Sequence, residues 1–490
     1  MKCLVTGGYG FIGRGVVQAL LRAGHDVTGA GRDLQLAERL VPTIPWFYCD
    51  FNNDLNPDIW AERLRGFDVV VNCVGILQSD LQDDAQFVHG EGARALFQGA
   101  ETAGIKRFIH ISATTLGREE IGGGKYKGSH TKASLMKEGE HLKEGESDEQ
   151  LLAEPHFDKE ASVEGLPEYA SSKLTGEHYL EETSLNWTII RPDLVLGAGS
   201  IGGAALIQGL AGLPKFLPLP GPGTQAFQPI ALDDLADGIV KMIEPFRRAS
   251  TRDGSGEDEL KECPFSRQMV YAVGQDVVTL KELIQYYRAW LGFSKGIPII
   301  IPRWVIKPVM WVGDFASMLG NRGPIRTASL EQMDLFTQHD GSAFMKLLGR
   351  PTLAVPEILA LHQSSAVERQ FARCYFLLPF LRWVLGLSWI FEGVEALQGI
   401  KDFAPLFLLE ASSDLYQIAG FALLTIMCGV MFLSKPWIRV GGVIKSLMLI
   451  WASVMSFSYV ASVQEFLGWG FSLLLPLLLI WILMGLHEKR

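Results

Sequence analysis

The stretch Lys2-Cys3-Leu4-Val5-Thr6-Gly7-Gly8-Tyr9-Gly10-Phe11-Ile12-Gly13 decides the fold. Its first five residues read as a strand, the glycines as a tight turn, and the residues from Phe11 onward as an amphipathic helix. A G-x-x-G-x-x-G turn between strand and helix lets the backbone approach a pyrophosphate closely. The helix N-terminus adds unsatisfied N–H groups and the positive end of its dipole. A chain with 52 glycines can produce such a triplet by chance, so the position directly after the first strand carries the argument. Gly7, Gly10, Phe11, Ile12 and Gly13 are therefore the expected dinucleotide contacts.

Outward from this turn, residues 1–115 alternate apolar strands with amphipathic helices. The strands fall at about Lys2–Thr6, Asp26–Ala30, Trp46–Cys49, Asp68–Cys73 and Arg107–Ser112. This is the α/β pattern of a doubly wound parallel sheet, a Rossmann fold. The second strand ends at Gly31-Arg32-Asp33, where an NAD-preferring domain usually places an acid on the ribose. Arg32 suits a 2′-phosphate through charge-assisted hydrogen bonds, so NADP(H) is the preferred cofactor. NAD(H) stays possible if Arg32 is a solvated loop cation and Asp33 binds the ribose.

Composition divides the chain. Lys and Arg number 44 against 54 Asp and Glu, a net charge of -10, which offers no electrostatic footprint for nucleic acid. Six cysteines without C-x-x-C or close Cys/His spacing signal neither a disulfide framework nor a metal site. From Cys374 to Arg490 only 14 of 117 residues are charged, and they sum to zero. Four apolar runs there approach the roughly 20 residues needed to cross a bilayer: about Trp383–Ile400, Leu415–Ser434, Gly441–Ala461 and Phe466–Leu486. Arg369, Arg373 and Arg382, then Lys435, Arg439 and Lys445, then Lys489 and Arg490 mark one side. The positive-inside rule puts the N-terminal domain, the middle turn and the C-terminus in the cytoplasm, as in an integral protein of a bacterial inner membrane. A strand starts directly after Met1, so no signal peptide is expected.

Further motifs carry a family likeness: Cys49-Asp50-Phe51, Val71-Asn72-Cys73-Val74-Gly75, Phe108-Ile109-His110-Ile111-Ser112, Tyr169-Ala170-Ser171-Ser172-Lys173 and Arg191-Pro192. Together with the glycine turn they resemble an extended or atypical short-chain dehydrogenase/reductase over roughly residues 1–365. Asn72-Cys73-Val74-Gly75-Ile76 and Leu348-Gly349-Arg350-Pro351 resemble the branch that includes the nucleotide-binding accessory subunit of respiratory complex I. The tail, residues 374–490, looks like a DoxX-like four-helix membrane domain, with Leu381-Arg382-Trp383 leading into the first crossing.

The resemblance implies roles. Tyr169 would donate a proton to a nascent alkoxide, and Lys173, one helical turn on, would lower the tyrosine pKa. Ser112, at the end of the fifth strand, would hold the substrate carbonyl, with Thr114 as a possible deputy. Asp50 would face the adenine, and Val74 and Gly75 would run beneath the cofactor. Two departures stand out. His89 occupies a place where many extended members have Asn, and residues 118–165 hold 19 charged residues in 48, which reads as a solvated flap in place of a short link.

The smaller substrate lobe is expected from Leu213 to about His362. Phe227 to Asp234 reads as the return to the sheet, Thr279 and Glu282 as a capping box, and Arg247 to Arg267 as a polar loop. Pro298 to Leu319, with Trp304, Met310, Trp311 and Met318, either packs on the core or forms an apolar lid or membrane-surface element. The functional expectation is a membrane-tethered NADP(H)-dependent oxidoreductase acting on a carbonyl, alcohol or sugar-nucleotide-like group of a small molecule, with the tether suggesting a lipophilic one. Two alternatives remain: a nucleotide-binding module without turnover, and a tail with a transport or redox role. Glu392 and Glu395 within the first apolar run favour the latter.

Overall fold

The computed structural model describes residues 1–76, 83–114, 168–244, 265–318, 338–403, 413–434 and 437–457, with a few isolated positions besides. The 118–165 insertion, most of the 247–267 loop and most of the fourth apolar run lie outside the described residues. Seven strands form one parallel sheet: Lys2–Thr6 (β1), Asp26–Gly31 (β2), Trp46–Tyr48 (β3), Val69–Asn72 (β4), Arg107–Ile111 (β5), Trp187–Pro192 (β6) and Gln268–Ala272 (β7). Their order is β7-β6-β5-β4-β1-β2-β3, which puts the topological switch point between β1 and β4. Open α/β sheets bind ligands outside the strand ends at that point.

The strands are near-continuous apolar runs because both faces are covered, as parallel sheets require. Helices Phe11–Arg22 (α1) and Leu232–Ile243 pack together on one face, where Val16, Leu20, Leu235 and Ile239 join Val5 and Val71 in one core. Helices Pro57–Arg63 and Gly92–Thr102 cover the other, with Trp60, Leu96 and Phe97 against Leu4, Val70 and Phe108. A π-helical turn, Phe87–Glu91, precedes the second of these.

The sheet does not receive Phe227 to Asp234 as expected. Ala226–Phe227 pairs antiparallel with Val278–Thr279, and Ile230–Ala231 pairs parallel with Val195–Leu196. Pro229 interrupts any longer strand, since it lacks an N–H, and the Gln228 N–H is taken by the Asp193 carboxylate at 2.5 Å. The chain rejoins the sheet at β7 instead, parallel to β6 from Gln268↔Thr188 to Ala272↔Pro192. The capping box is present: Thr279 and Glu282 satisfy each other's backbone N–H at the start of Leu280–Trp290.

Past the lobe, Ala366–Phe403 (α2) runs unbroken for 38 residues, longer than the expected crossing from Trp383. Its first turns pack on the lobe: a Cβ at Gly212 would meet the Ala372 backbone, and one at Gly209 the Tyr375 side chain. Ser413–Leu433 (α3) and Ile438–Phe457 (α4) follow, each packed on its predecessor. Glycines let α2 and α3 approach closely: a Cβ on Gly429 would sit 2.7 Å from the Gly386 carbonyl oxygen, and one on Gly393 2.6 Å from that of Ala422. Small residues at such crossings suit association within lipid. Lys445 of α4 pairs with Glu392 of α2 at 2.8 Å. Arg382 Nε donates to the Phe432 carbonyl at 2.9 Å, capping the C-terminal end of α3. One described helix, Ala366–Gln398, is long and apolar enough to cross a membrane, and Ala419–Leu433 is a shorter apolar helix.

Candidate active site

The site begins at the glycine turn. Gly7 has φ +66°, and a Cβ there would press on the Cys73 carbonyl at 3.0 Å. Gly13 is tighter, since its Cβ would lie 2.2 Å from the Gly7 oxygen. These contacts draw β1, α1 and the end of β4 together. Helix α1 starts with no side-chain cap and no acid in its first turn, so its terminal N–H groups and dipole are left for an anion. Gly10 lies at the N-cap, and its N–H donates to the Gly7 carbonyl at 2.9 Å. Together these features fit the pyrophosphate of a dinucleotide, with Gly10, Phe11 and Ile12 beside it.

Arg32 sits at the end of β2 but does not stand alone. Its guanidinium makes a two-pronged contact with Asp83, whose second oxygen is 3.0 Å from Nη2, and it lies 3.9 Å from Asp50. Asn52 also donates to Asp83, at 2.8 Å. Sequence reading anticipated a cation available to a phosphate and missed its carboxylate partner, which arrives from 51 residues away. Asp50 accepts from the Asn52 N–H and Asn53 Nδ2, holding the turn after β3. Asp33 caps the next helix through the Leu36 N–H at 2.9 Å.

Helix Glu168–Glu181, the site helix, carries Tyr169, Lys173 and Glu177 at i, i+4 and i+8, on one face. Lys173 is buried, its ammonium donating to the Ile111 carbonyl at 3.1 Å, one residue before Ser112. A Cβ on Gly75 would meet Lys173 Nζ at 3.0 Å, so glycine there lets the amine reach the end of β4. Burial lowers the Lys173 pKa to about 8, with Glu177 opposing the shift. Burial raises the Tyr169 pKa to about 12, the opposite of the lowering expected from Lys173. The Ser112 hydroxyl lies near enough to Glu177 to help hold it ionised, yet it makes no well-formed hydrogen bond among the described residues. A buried, unsatisfied hydroxyl at a strand end suits a ligand oxygen.

Sequence reading also missed what supports these groups. Glu177 and Arg191 form a fully buried ion pair, with Oε2 2.5 Å from Nη2 and Oε1 3.0 Å from Nε. Burial would push the Glu177 carboxyl up, but the guanidinium more than offsets it and holds it ionised. Arg191 also donates to the Tyr271 hydroxyl at 3.3 Å, and Tyr271 stacks on His339 with centroids 4.2 Å apart. His339, Gln228 and Gly274 line a cavity of about 480 Å³ at the end of β7. The spacing of Glu177, four residues beyond Lys173, was the available signal.

His89 takes a defined part. The Ile76 N–H donates to its Nε2 at 3.0 Å, so the proton is on Nδ1, which donates to Ser172 Oγ at 2.9 Å. The Ser172 hydroxyl in turn donates to the Tyr169 carbonyl at 3.1 Å, and the His89 ring meets the Tyr169 ring edge-on at 5.8 Å. Burial, with Lys173 nearby, keeps His89 neutral, its pKa well below the usual histidine range. The ring thus ties the first turn of the site helix to the loop after β4. Beside it, Asn72 accepts from Thr6 Oγ1 and the Val74 N–H and contacts His110 Nδ1 at 3.2 Å.

Residues 3–138 match the NAD dependent epimerase/dehydratase family. A 3 beta-hydroxysteroid dehydrogenase/Delta 5-->4-isomerase of Mycobacterium tuberculosis is 27% identical over 133 residues, 25% of this chain and 35% of that protein. A 3-beta-hydroxysteroid dehydrogenase of Mycolicibacterium neoaurum is 25% identical over 123 residues, 24% of this chain and 32% of its own. The chain therefore spans about a third of the length of the curated relatives it matches. Among solved structures, an epimerase of the methanogen Methanothermobacter thermautotrophicus superposes with a TM-score of 0.50 at 16% identity, over 77% of this chain and 93% of its own. Glycine turn, parallel sheet and sequence match agree: the N-terminal part of this chain is a Rossmann-like domain that matches the NAD dependent epimerase/dehydratase family over residues 3–138.

Proposed function

We propose that this chain is a membrane-attached NAD(P)(H)-dependent oxidoreductase acting on a carbonyl or alcohol of a small, lipophilic molecule. The observation that carries the reading is Lys173: a buried ammonium wedged against Gly75, one turn beyond Tyr169 and one residue from Ser112, at the sheet edge beside the uncapped start of α1. A bound nicotinamide dinucleotide supplies or accepts the hydride. Ser112 offers its unsatisfied hydroxyl to the substrate oxygen, and Tyr169 gives that oxygen its proton. Lys173, nearest the end of β4, stabilises the negative charge left on the tyrosine. Tyr169 is protonated at neutral pH, as the donor in a carbonyl reduction must be.

Cofactor choice turns on Arg32. The Asp83 and Asp50 carboxylates beside it balance its charge, and a 2′-phosphate would have to displace Asp83. That pairing supports NAD(H) over the NADP(H) preference drawn from the sequence. The four crossings, the cytoplasmic placement of both termini, and the likenesses to a complex I accessory branch and a DoxX-like tail rest on sequence pattern. A reporter fusion at Arg490 should give a cytoplasmic signal and one near position 405 the opposite.

The test is purification in detergent, identification of any bound nucleotide, and a screen of lipid extracts for NADH and NADPH oxidation. Tyr169→Phe should change nucleotide affinity less than about tenfold and lower turnover roughly a hundredfold or more. Lys173→Met should damage both. Near-normal turnover in Tyr169→Phe would overturn the assignment. A second reading, a nucleotide-binding module without turnover, is favoured by the burial of Tyr169, which pushes its pKa up and makes it a weaker proton donor. Retained nucleotide with no substrate consumed in any extract would support it.

A further inference from the structure

Strand Ile297–Ile301 and helix Arg303–Met318 sit on the lobe almost without cover. Trp304 is 75% exposed and Trp311 62%, and Val309, Val312, Phe315 and Ile300 are exposed with them. Among the described residues of the helix only Ala316 and Ser317 are buried. At 100° per residue, Trp311, Trp304, Phe315 and Val312 fall within an arc of about 100°, and Arg303, Asp314 and Lys307 form a narrow charged stripe beside it. Soluble proteins rarely leave so large a contiguous apolar patch open. The arrangement of tryptophans beside cations on an amphipathic helix is that of a segment lying in a bilayer interface.

Position argues for the same occupant. The strand pairs in parallel with Phe216–Pro220, and Phe216 is exposed as well. The segments leading into both strands hold the root of α2: Gly212 packs on Ala372, and the Arg373 guanidinium lies 5.0 Å from the centroid of the Phe293 ring. The segments that lead into the open patch therefore also hold the root of the helix that is apolar enough to cross a membrane and whose Phe391 is 75% exposed. Lys215, Lys295, Arg303 and Lys307 flank it, a charge pattern that suits anionic headgroups.

We infer that strand Ile297–Ile301 and helix Arg303–Met318 are a bilayer-docking surface, lying in the headgroup boundary of the leaflet that α2 enters. This rests on the membrane attachment proposed above. It also refines that reading, because the far end of the helix leads toward the site. Asp314 accepts from Thr327 Oγ1 at 2.8 Å and contacts Arg326, Arg326 donates to the Ser79 carbonyl at 3.1 Å, and the Ser79 hydroxyl bonds Glu168, the neighbour of Tyr169. A membrane-dissolved carbonyl compound would thus meet the cleft from the docked side.

The test places the photocrosslinker p-benzoylphenylalanine singly at Trp304, Trp311, Phe391 and Tyr48 of the full chain. Tyr48 lies on the far edge strand of the sheet and is also exposed. Each variant, checked for native thermal unfolding, is reconstituted in phosphatidylglycerol–phosphatidylcholine vesicles, irradiated, and weighed by mass spectrometry. Lipid adducts at 304, 311 and 391, at least tenfold above the yield at 48, are the expected result. An adduct at 391 without adducts at 304 and 311 overturns the docking surface and leaves the tether standing. Chain-to-chain crosslinks at 304 or 311 in place of lipid adducts also overturn it, in favour of a second copy. Lack of adducts at all four positions overturns the membrane attachment itself.

Discussion

Replacing Gly10 and Gly13 by alanine, one at a time, separates nucleotide binding from folding within a single turn. At Gly13 the added Cβ would sit 2.2 Å from the Gly7 oxygen and 2.8 Å from the Gly8 Cα. Against an ordinary contact of 3.4 Å, the first falls short by about 1.2 Å. Both obstacles are backbone, so α1 must move away from β1. Overpacking of this kind costs about 1–3 kcal/mol, and more where the backbone must shift. At about 2–4 °C per kcal/mol for a domain of this size, Gly13→Ala should lower the melting temperature by roughly 5 °C or more. At Gly10 the Cβ would lie 3.0 Å from the Gly7 oxygen, with nothing else within 4 Å, and φ of -67° suits alanine. Alanine in place of glycine at an N-cap costs only a few tenths of a kcal/mol to about 1 kcal/mol. The methyl would project into the open space beside the start of α1, where the pyrophosphate is expected. Gly10→Ala should therefore melt within about 3 °C of wild type yet bind NADH at least tenfold more weakly, about 1.4 kcal/mol. Thermal unfolding in detergent and titration of NADH fluorescence read the two effects separately. Unchanged NADH affinity in Gly10→Ala would refute the placement of the nucleotide, and a wild-type melting temperature in Gly13→Ala would refute the packing argument.

Two further predictions concern charge. Asp83→Asn keeps the shape of the Arg32 partner but removes its charge, so NADPH affinity should rise roughly threefold to tenfold relative to NADH, a modest scale because the guanidinium is partly exposed. An unchanged ratio in paired titrations would show that Arg32 does not read the ribose. Carbonyl reduction needs both the tyrosine proton and the lysine charge, so its rate should hold through neutral pH and fall as pH rises past about 8, where Lys173 loses its proton. Oxidation of the matching alcohol should instead increase with pH, and a reduction rate flat to pH 10 would contradict the assigned role of Lys173.

The sheet was legible because its signals are local. Lys2–Thr6 is an apolar run bounded by turn residues and its observed limits match the expected ones, while Asp26–Gly31 and Arg107–Ile111 differ from theirs by one residue at the C-terminal end. What escaped was contact between distant segments. No pattern within Gly31-Arg32-Asp33 announces Asp83, and none within Arg191-Pro192 announces Glu177. These pairs exist because the fold brings the segment that carries Asp83 and the helix that carries Glu177 to the sheet edge, and their partners are chosen by burial, which leaves a charge costly unless matched. The lobe failed differently: Phe227 to Asp234 has strand-like composition, but Pro229 and the Asp193 carboxylate determine where its backbone hydrogen bonds go. The open face of Arg303–Met318 could be read either as core or as surface, because an apolar helix face looks the same whatever covers it.

The unbroken helix α2 has a mechanical consequence. At 1.5 Å per residue its 38 residues extend about 57 Å, and its root is locked to the lobe where Gly209 and Gly212 admit Tyr375 and Ala372. Such a connection acts as a strut with little of the slack of a flexible leash. It fixes how far the cleft stands from the bundle of α2, α3 and α4 and which way it faces, so reach is set by geometry in place of tether length. In the proposed orientation the domain surveys its surroundings only by sliding sideways with its anchor, and molecules diffusing in the plane beneath it would be encountered far more often than those passing in the bulk.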